Sequence, residues 1–144
     1  MKTNYHTHTI FCDGKAQARD MVLDAINSHF KILGFSSHAA FPFDSDWHLK
    51  NNRYTEYCTT INELKTEFTG KIEIQLGFEA DFVPSVALPD YSVYSQFKPD
   101  FLIGSVHYVL NFDKPELAGF PQKDCFIPYN CFAIDGSTEE VKEI

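Results

Sequence analysis

Four of the six histidines lie where the sequence predicts the ends of buried strands. His6 and His8 are two residues apart, so on an extended strand their imidazoles project from the same face, roughly 6.5 Å apart. Imidazole nitrogens at this spacing can converge on one or two divalent cations. His38 and His107 end two further predicted strands. We therefore interpret these four imidazoles as candidate metal ligands.

Two carboxylates accompany the histidines in the predicted strand and loop pattern. Asp13 follows His8 by five residues, on the loop after the first strand, and Glu79 lies on the polar face of the third strand. Burying an isolated carboxylate costs free energy, so we expect Glu79 to have a cation as a partner. A mixed set of imidazoles and carboxylates suits Zn, Mn or Fe. The alternatives are a turn or helix cap for Asp13 and a buried salt bridge or rim exposure for Glu79.

Other polar residues have simpler interpretations. A single histidine at a strand end is usually a partly exposed, hydrogen-bonded side chain, and this alternative stays open for His38 and His107. We interpret His29, near a helix C-terminus, and His48, in a polar loop, as surface residues. Arg53 could overhang the rim and bind a phosphate through two hydrogen bonds, or it could be a solvated residue at a helix entrance.

The elements that must position these residues alternate between strands and helices. Apolar residues at helical spacing predict helices at 21–30 and 54–68, the second closed by Gly70, and a shorter helix at 90–97. Residues 39–53 are predicted to be a loop. Strands are predicted at the HTHT run and at 31–38, 71–82 and 101–109.

The order βαβαβαβ favours an α/β fold with a parallel sheet and right-handed crossovers. On the third strand, Ile72, Ile74 and Leu76 alternate with Glu73 and Gln75, so one face is polar. A polar inward face suits the mouth of a barrel better than an open sheet. In barrels of this class, chemistry occurs at the carboxyl ends of the strands.

The last third of the chain is different. Residues 110–134 have no sustained periodicity and predict a long loop with short strands, and Ser137 to Glu140 form a capping box that predicts a helix start. A complete (β/α) barrel takes about 250 residues. We therefore expect residues 1–144 to be the N-terminal part of a single, longer domain.

Composition indicates one globular domain and argues against a nucleic-acid partner. The 144 residues are 44% hydrophobic and carry a formal net charge of -8, so there is no continuous basic surface for nucleic acid. The four cysteines form no C-x-x-C pair, the N-terminus has no signal pattern, and no apolar run is long enough to cross a membrane. We expect a cytoplasmic protein, and its oligomeric state stays open.

Four segments together resemble a known family. HTHTIFCDG, GFSSHAAFP, LGFEADFVP and GSVHYV occur in this order and look like the successive metal-binding motifs of the polymerase-and-histidinol-phosphatase (PHP) superfamily. The similarity is greatest to its histidinol-phosphatase branch and includes the FAIDGS segment, from residue 4 to about residue 138.

The resemblance implies a distorted (β/α)7 TIM-like barrel, of which this chain supplies about four βα units. It also implies up to three divalent metal ions and hydrolysis of L-histidinol phosphate to L-histidinol and phosphate, a step of histidine biosynthesis. Glu79, His107 and Asp13 would act in catalysis, with Glu79 bridging metals. The positions that match the family's metal ligands are His6, His8, Asp13, His38, Glu79 and His107.

Two alternatives to this function remain. In the family, further ligands come from a later His and a late Asp-x-His pair, whereas this sequence has no histidine after His107. The protein could thus be another PHP phosphoesterase, or a non-catalytic metal-binding or interaction fragment. Metal-dependent phosphate release, abolished by Glu79→Ala, distinguishes the enzyme from the fragment.

Overall fold

The structure is a computed structural model that describes residues 1–40, 45–83, 87–110 and 126–128. Strands and helices alternate along most of this range, and two short 3-10 helices, Asn51–Arg53 and Ser95–Phe97, flank the longer helices. The main elements, in chain order, are β1 (Thr3–Asn4), α1 (Ala18–Asn27), β2 (Ile32–His38), α2 (Tyr54–Glu67), β3 (Glu73–Asp81), α3 (Tyr91–Tyr94), β4 (Phe101–Ser105), β5 (Tyr108–Leu110) and β6 (Phe126–Pro128).

Four parallel strands form one sheet in the order β1-β2-β3-β4. The sheet curls into a half-barrel with helices outside it, which confirms the predicted α/β class and the partial barrel. In the register between β2 and β3, Ile32 pairs with Glu73 and His38 pairs with Glu79. The parallel register therefore brings two predicted ligands side by side at the carboxyl ends of their strands.

The helices bury one apolar stripe each against the sheet, as their sequence spacing predicts. In α1, Ala18, Val22 and Ala25 are buried at intervals of one turn. The end of α2 is followed by Gly70, whose φ of 81° is the left-handed conformation expected after a helix C-terminus. Asp90 caps α3 by accepting the backbone N–H of Ser92 at 2.8 Å, so the short predicted helix is confirmed.

Tyr57 of α2 fixes the two central strands to each other. Its ring is fully buried, and its hydroxyl lies 3.0 Å from the carbonyl of Phe35 and 2.9 Å from that of Gly77. The same hydroxyl accepts the backbone N–H of Ser37 at 3.3 Å. One helix side chain thus bridges β2 and β3 close to the ends where His38 and Glu79 project.

Two predicted strand boundaries are wrong. The first strand ends at Asn4, before the histidines, because the N–H of His6 binds the side chain of Asn4 and the N–H of Thr7 binds the side chain of Ser36. The fourth strand ends at Ser105, because the backbone N–H of His107 binds a carboxylate, and residues 108–110 join a separate antiparallel pair with β6. In both places a side chain replaces a backbone partner of the sheet.

Some predictions lie outside the described residues. They are the capping box at Ser137 to Glu140 and, apart from β6, most of the loop predicted at 110–134. Within the predicted loop at 39–53, the described part contains only the short 3-10 turn Asn51–Arg53. Among the described residues, no helix is both long and apolar enough to cross a membrane.

Candidate metal centre

The carboxylate of Glu79 lies at the centre of the four histidines. Its Oε2 is 2.8 Å from Nε2 of His6 and 2.9 Å from Nε2 of His8. The same oxygen is 3.4 Å from Nδ1 of His38, and Oε1 is 3.4 Å from Nε2 of His107. Glu79 is only 4% exposed, so its charge lies inside the barrel mouth. The structure therefore brings together residues from four different segments of the chain.

Asp13 contacts two imidazoles of the same cluster. Its Oδ1 is 2.8 Å from Nδ1 of His8, and its Oδ2 is 3.6 Å from Nε2 of His38. Both imidazoles therefore lie between two carboxylates, those of Asp13 and Glu79. Gly14 makes this possible, since a Cβ there would collide with the backbone carbonyl of His8. The Asp-Gly turn expected from the sequence is present and also places a carboxylate in the site.

The cluster offers three adjoining positions at which side-chain atoms could hold a cation. In each position the candidate ligand atoms lie within 4.8 Å of one another. The three groups are His6, His8 and Glu79; His8, Asp13 and His38; and His38, Glu79 and His107.

Two buried nitrogens show that this donor set fits a metal. Nε2 of His8 and Nδ1 of His38 make no hydrogen bond to any residue that the structure describes. A buried polar atom without a partner costs free energy, typically about 1–3 kcal/mol. Both nitrogens point at the Glu79 carboxylate, and a cation between them would satisfy the nitrogens and the oxygen together.

The ionisation states favour metal binding. Burial would raise the pKa of Glu79, but the contacts with His8 and His38 lower it to about 2. Burial also raises the pKa of Asp13, and the hydrogen bond from His8 reverses this and lowers it. Burial lowers the pKa of His38 to about 4, so that imidazole is neutral at neutral pH. Two anions and a neutral imidazole are therefore ready to bind a cation.

The imidazoles of His8 and His107 have raised pKa values, in contrast to that of His38. Burial lowers the pKa of each imidazole, but carboxylate contacts outweigh it: Glu79 and Asp13 raise the pKa of His8, and Asp81 raises that of His107. A metal ion must displace protons from these two rings, so its binding is coupled to pH.

Asp81 was not among the predicted site residues, and His48 does not lie on the surface as predicted. Asp81 lies two residues after Glu79 on the same face of β3, and its Oδ1 is 2.5 Å from Nδ1 of His107. His48, which we expected on the surface, is 4% exposed, and its Nε2 lies 3.4 Å from Oδ2 of Asp81. That expectation was wrong because the ring of His48 stacks on Trp47 and contacts the buried carboxylate of Asp81. The period-two alternation of β3 could have predicted this position, because it places Asp81 on the same face as Glu79. His29 is exposed as predicted.

A cavity of about 820 Å³ opens onto the cluster. Its walls include all six proposed ligands, the end of β4 and Trp47. Trp47 is the only tryptophan of the chain; its ring stacks on His48 at a centroid distance of 3.6 Å and lies 4.6 Å from His38. The cavity has room for a small phosphorylated molecule next to the ligands.

Arg53 lies apart from the metal ligands. Its guanidinium is 4.5 Å from the ring centroid of Phe11 and donates hydrogen bonds to Glu56 at 3.0 and 3.1 Å. Phe11 belongs to the same turn as Asp13, so the guanidinium borders the loop of the site without lining the cavity.

Comparison with known proteins identifies the family. The profile of the PHP domain matches residues 4–133. The chain belongs to the PHP domain family. The match spans all six proposed ligands, so the resemblance seen in the four sequence motifs is confirmed.

Curated relatives of this PHP chain carry histidinol-phosphatase names. A Deinococcus radiodurans protein named "Probable histidinol-phosphatase" is 33% identical over 125 residues, which cover 83% of this chain and 48% of the relative. The histidinol-phosphatase of Lactococcus lactis is 33% identical over 114 residues, covering 75% of this chain and 40% of the relative. The chain thus spans about half, or less, of the relatives' length.

Two solved structures are similar to the PHP half-barrel. The Lactococcus lactis histidinol phosphate phosphatase, solved with Zn, L-histidinol and phosphate, matches with a TM-score of 0.56 and 31% identity over 74% of this chain and 40% of the other. A Listeria monocytogenes protein assigned to the histidinol phosphatases has a TM-score of 0.64 and covers 76% of this chain and 46% of its own, but at 22% identity it shows the fold alone.

Proposed function

We propose that residues 1–144 are the N-terminal part of a single metal-dependent phosphatase domain that hydrolyses L-histidinol phosphate to L-histidinol and phosphate. The observation that carries this proposal is the Glu79 carboxylate surrounded by four imidazoles, with buried nitrogens of His8 and His38 aimed at it. Membership of the PHP family and the names of the relatives support the phosphatase reaction. The ligands of the Lactococcus lactis structure support the substrate.

The residues of the cluster would have different roles in holding the metal ions. Divalent metals supply Lewis acidity, which acidifies water and neutralises charge on phosphoryl oxygens. Glu79 would bridge adjacent metal positions, because both of its oxygens already face imidazoles. Asp13 would orient His8 by accepting a hydrogen bond from its Nδ1. His107, which follows β4, would be the metal ligand at that side of the cavity. Zn, Mn and Fe are the candidate metals, in up to three positions, which matches the three adjoining groups of donors.

The remaining parts of the proposal concern the substrate and its surroundings. Arg53 stays a candidate contact for the phosphate, because its exposed pair with Glu56 is weak enough for a phosphate to compete. The net charge of -8 argues for a small substrate over nucleic acid. Free thiols at Cys12 and Cys58 fit a cytoplasmic enzyme of histidine biosynthesis.

The test is phosphate release from L-histidinol phosphate by the complete domain that contains residues 1–144, loaded separately with Zn²⁺, Mn²⁺ or Fe²⁺. We expect metal-dependent release that Glu79→Ala abolishes and that the surface variant Glu67→Gln leaves unchanged. Hydrolysis of other phosphoesters but not of histidinol phosphate would retain the phosphatase and refute the substrate. Tight metal binding without hydrolysis of any phosphoester would favour a non-catalytic metal-binding fragment.

A further inference from the structure

A second buried carboxylate lies directly behind the metal centre. Asp81 is 5% exposed, and its Oδ1 is 2.5 Å from Nδ1 of His107. The same oxygen accepts the backbone N–H of His107 at 3.2 Å and the hydroxyl hydrogen of Ser105 at 3.0 Å. Both the ring and the backbone of His107 are therefore held by one carboxylate oxygen.

This contact decides which nitrogen of His107 faces the cavity as an acceptor. An ionised carboxylate only accepts hydrogen bonds, so Nδ1 of His107 must carry its hydrogen. In the neutral ring, Nε2 is then the nitrogen with the free electron pair, and it lies 3.4 Å from Oε1 of Glu79. Metal-bound histidines are commonly oriented in this way by a carboxylate on the opposite nitrogen.

His48 holds Asp81 from the other side. The hydroxyl of Ser45 accepts the backbone N–H groups of Trp47 at 3.4 Å and His48 at 3.2 Å, and it also contacts Nδ1 of His48. A hydroxyl has one hydrogen, which this arrangement directs to Nδ1. Nε2 of His48 then carries a hydrogen and points at Oδ2 of Asp81, 3.4 Å away.

We propose that Asp81 is a positioning residue that fixes His107 in the Nδ1–H tautomer, with Nε2 directed at the metal centre, and that His48 supports Asp81 in this role. The inference deepens the proposed metal centre and rests on it. It ties two segments outside the predicted ligand set, the loop at residues 45–50 and the end of β3, to the orientation of one ligand.

The first experiment is NMR of the metal-free chain with ¹⁵N-labelled histidine, in alkaline buffer where His107 is neutral. We expect the Nδ1–H tautomer for His107 in the wild type. Asp81→Asn keeps an oxygen acceptor and should preserve this tautomer, whereas Asp81→Ala should convert His107 to the Nε2–H form that free histidine prefers. A wild-type His107 in the Nε2–H form would overturn the inference, even if Asp81→Ala failed to fold.

The second experiment is a Co²⁺ titration followed by absorption spectroscopy. We expect Asp81→Ala to weaken the binding position that contains His107 by about 10- to 100-fold, with a smaller loss in Asp81→Asn and in His48→Phe, which keeps a ring to stack on Trp47. The matched control is Asp100→Asn, because Asp100 is a hydrogen-bonded carboxylate that binds the N–H of Leu76, away from the cavity.

The two experiments separate this inference from the proposed function. Wild-type affinity in both Asp81 variants would refute the positioning role and leave the metal centre intact. A wild-type chain that binds no Co²⁺ would contradict the proposed function, and the tautomer of His107 would still decide the role of Asp81.

Discussion

Replacing Glu79 with glutamine should destabilise the metal-free protein in a pH-dependent way. Gln has the shape of the protonated acid, so the variant removes the negative charge and leaves the volume. In the wild type, that charge contacts Nε2 of both His6 and His8, at 2.8 and 2.9 Å. The contacts lower the pKa of Glu79 from 4.5 to about 2, although burial alone would raise it.

The size of the effect follows from this pKa. Each tenfold change in an ionisation constant is worth about 1.4 kcal/mol, so the lowered pKa of Glu79 corresponds to about 3 kcal/mol of folding free energy. Because the folded pKa lies below the unfolded one, this contribution is complete above pH 4.5 and is lost as the pH falls toward 2. For a domain of this size the melting temperature should fall by roughly 2–4 °C per kcal/mol.

The assay is urea unfolding of both proteins in EDTA, with the free energy of unfolding measured between about pH 6 and about pH 3.5. The difference between wild type and Glu79→Gln should be largest at the upper end and shrink steadily below pH 4.5. The control is Glu67→Gln, whose exposed pair with Arg19 should contribute little at any pH. A difference that does not change with pH would refute the electrostatic reasoning, since a pure packing defect does not titrate.

Three further predictions follow from the same geometry. Metal affinity should fall as the pH drops through the raised pKa values of His8 and His107, because protons compete with the metal for these rings. Calorimetry in buffers of different ionisation enthalpy should detect the protons that metal binding releases. Metal binding without proton release at every pH would contradict this prediction. As the pH falls from 6.5 to about 4, the metal-free protein should lose stability, because His38 binds a proton in the unfolded chain but stays neutral in the folded one. The free energy of unfolding of His38→Gln should therefore depend less steeply on pH. An equally steep dependence would exclude His38 as the cause. Gly14→Ala should displace the turn that carries Asp13 and weaken metal binding while circular dichroism stays unchanged; wild-type affinity would show that the turn tolerates a Cβ.

The sequence alone predicted most of the architecture, because its signals are local. Period-two alternation identified β3, helical spacing identified α1 and α2, and Gly70 marked the end of α2 through its left-handed backbone. Their alternation also predicted the parallel sheet, and in a parallel sheet all carboxyl ends lie at one edge. That rule is why a set of distant histidines could be grouped before any contact was known.

Strand boundaries were less predictable, because side chains decide them. The ladder of β4 stops where the N–H of His107 turns to Asp81, and the first strand stops where Thr7 binds the side chain of Ser36. The HTHT and FLIGSVHYV segments have the composition of strands along their whole length. The side chains that bind the N–H groups of Thr7 and His107 are more than 20 positions away, which local composition does not encode.

The sequence by itself determined the family, the parallel half-barrel and the residues His6, His8, His38 and Glu79 as a group. Only the tertiary structure decided that one carboxylate contacts four imidazoles and that His48 is buried against Asp81. The physical reason is that ligand types and strand periodicity are carried by neighbours in the chain. The burial of a loop histidine, in contrast, depends on which surface that loop packs against.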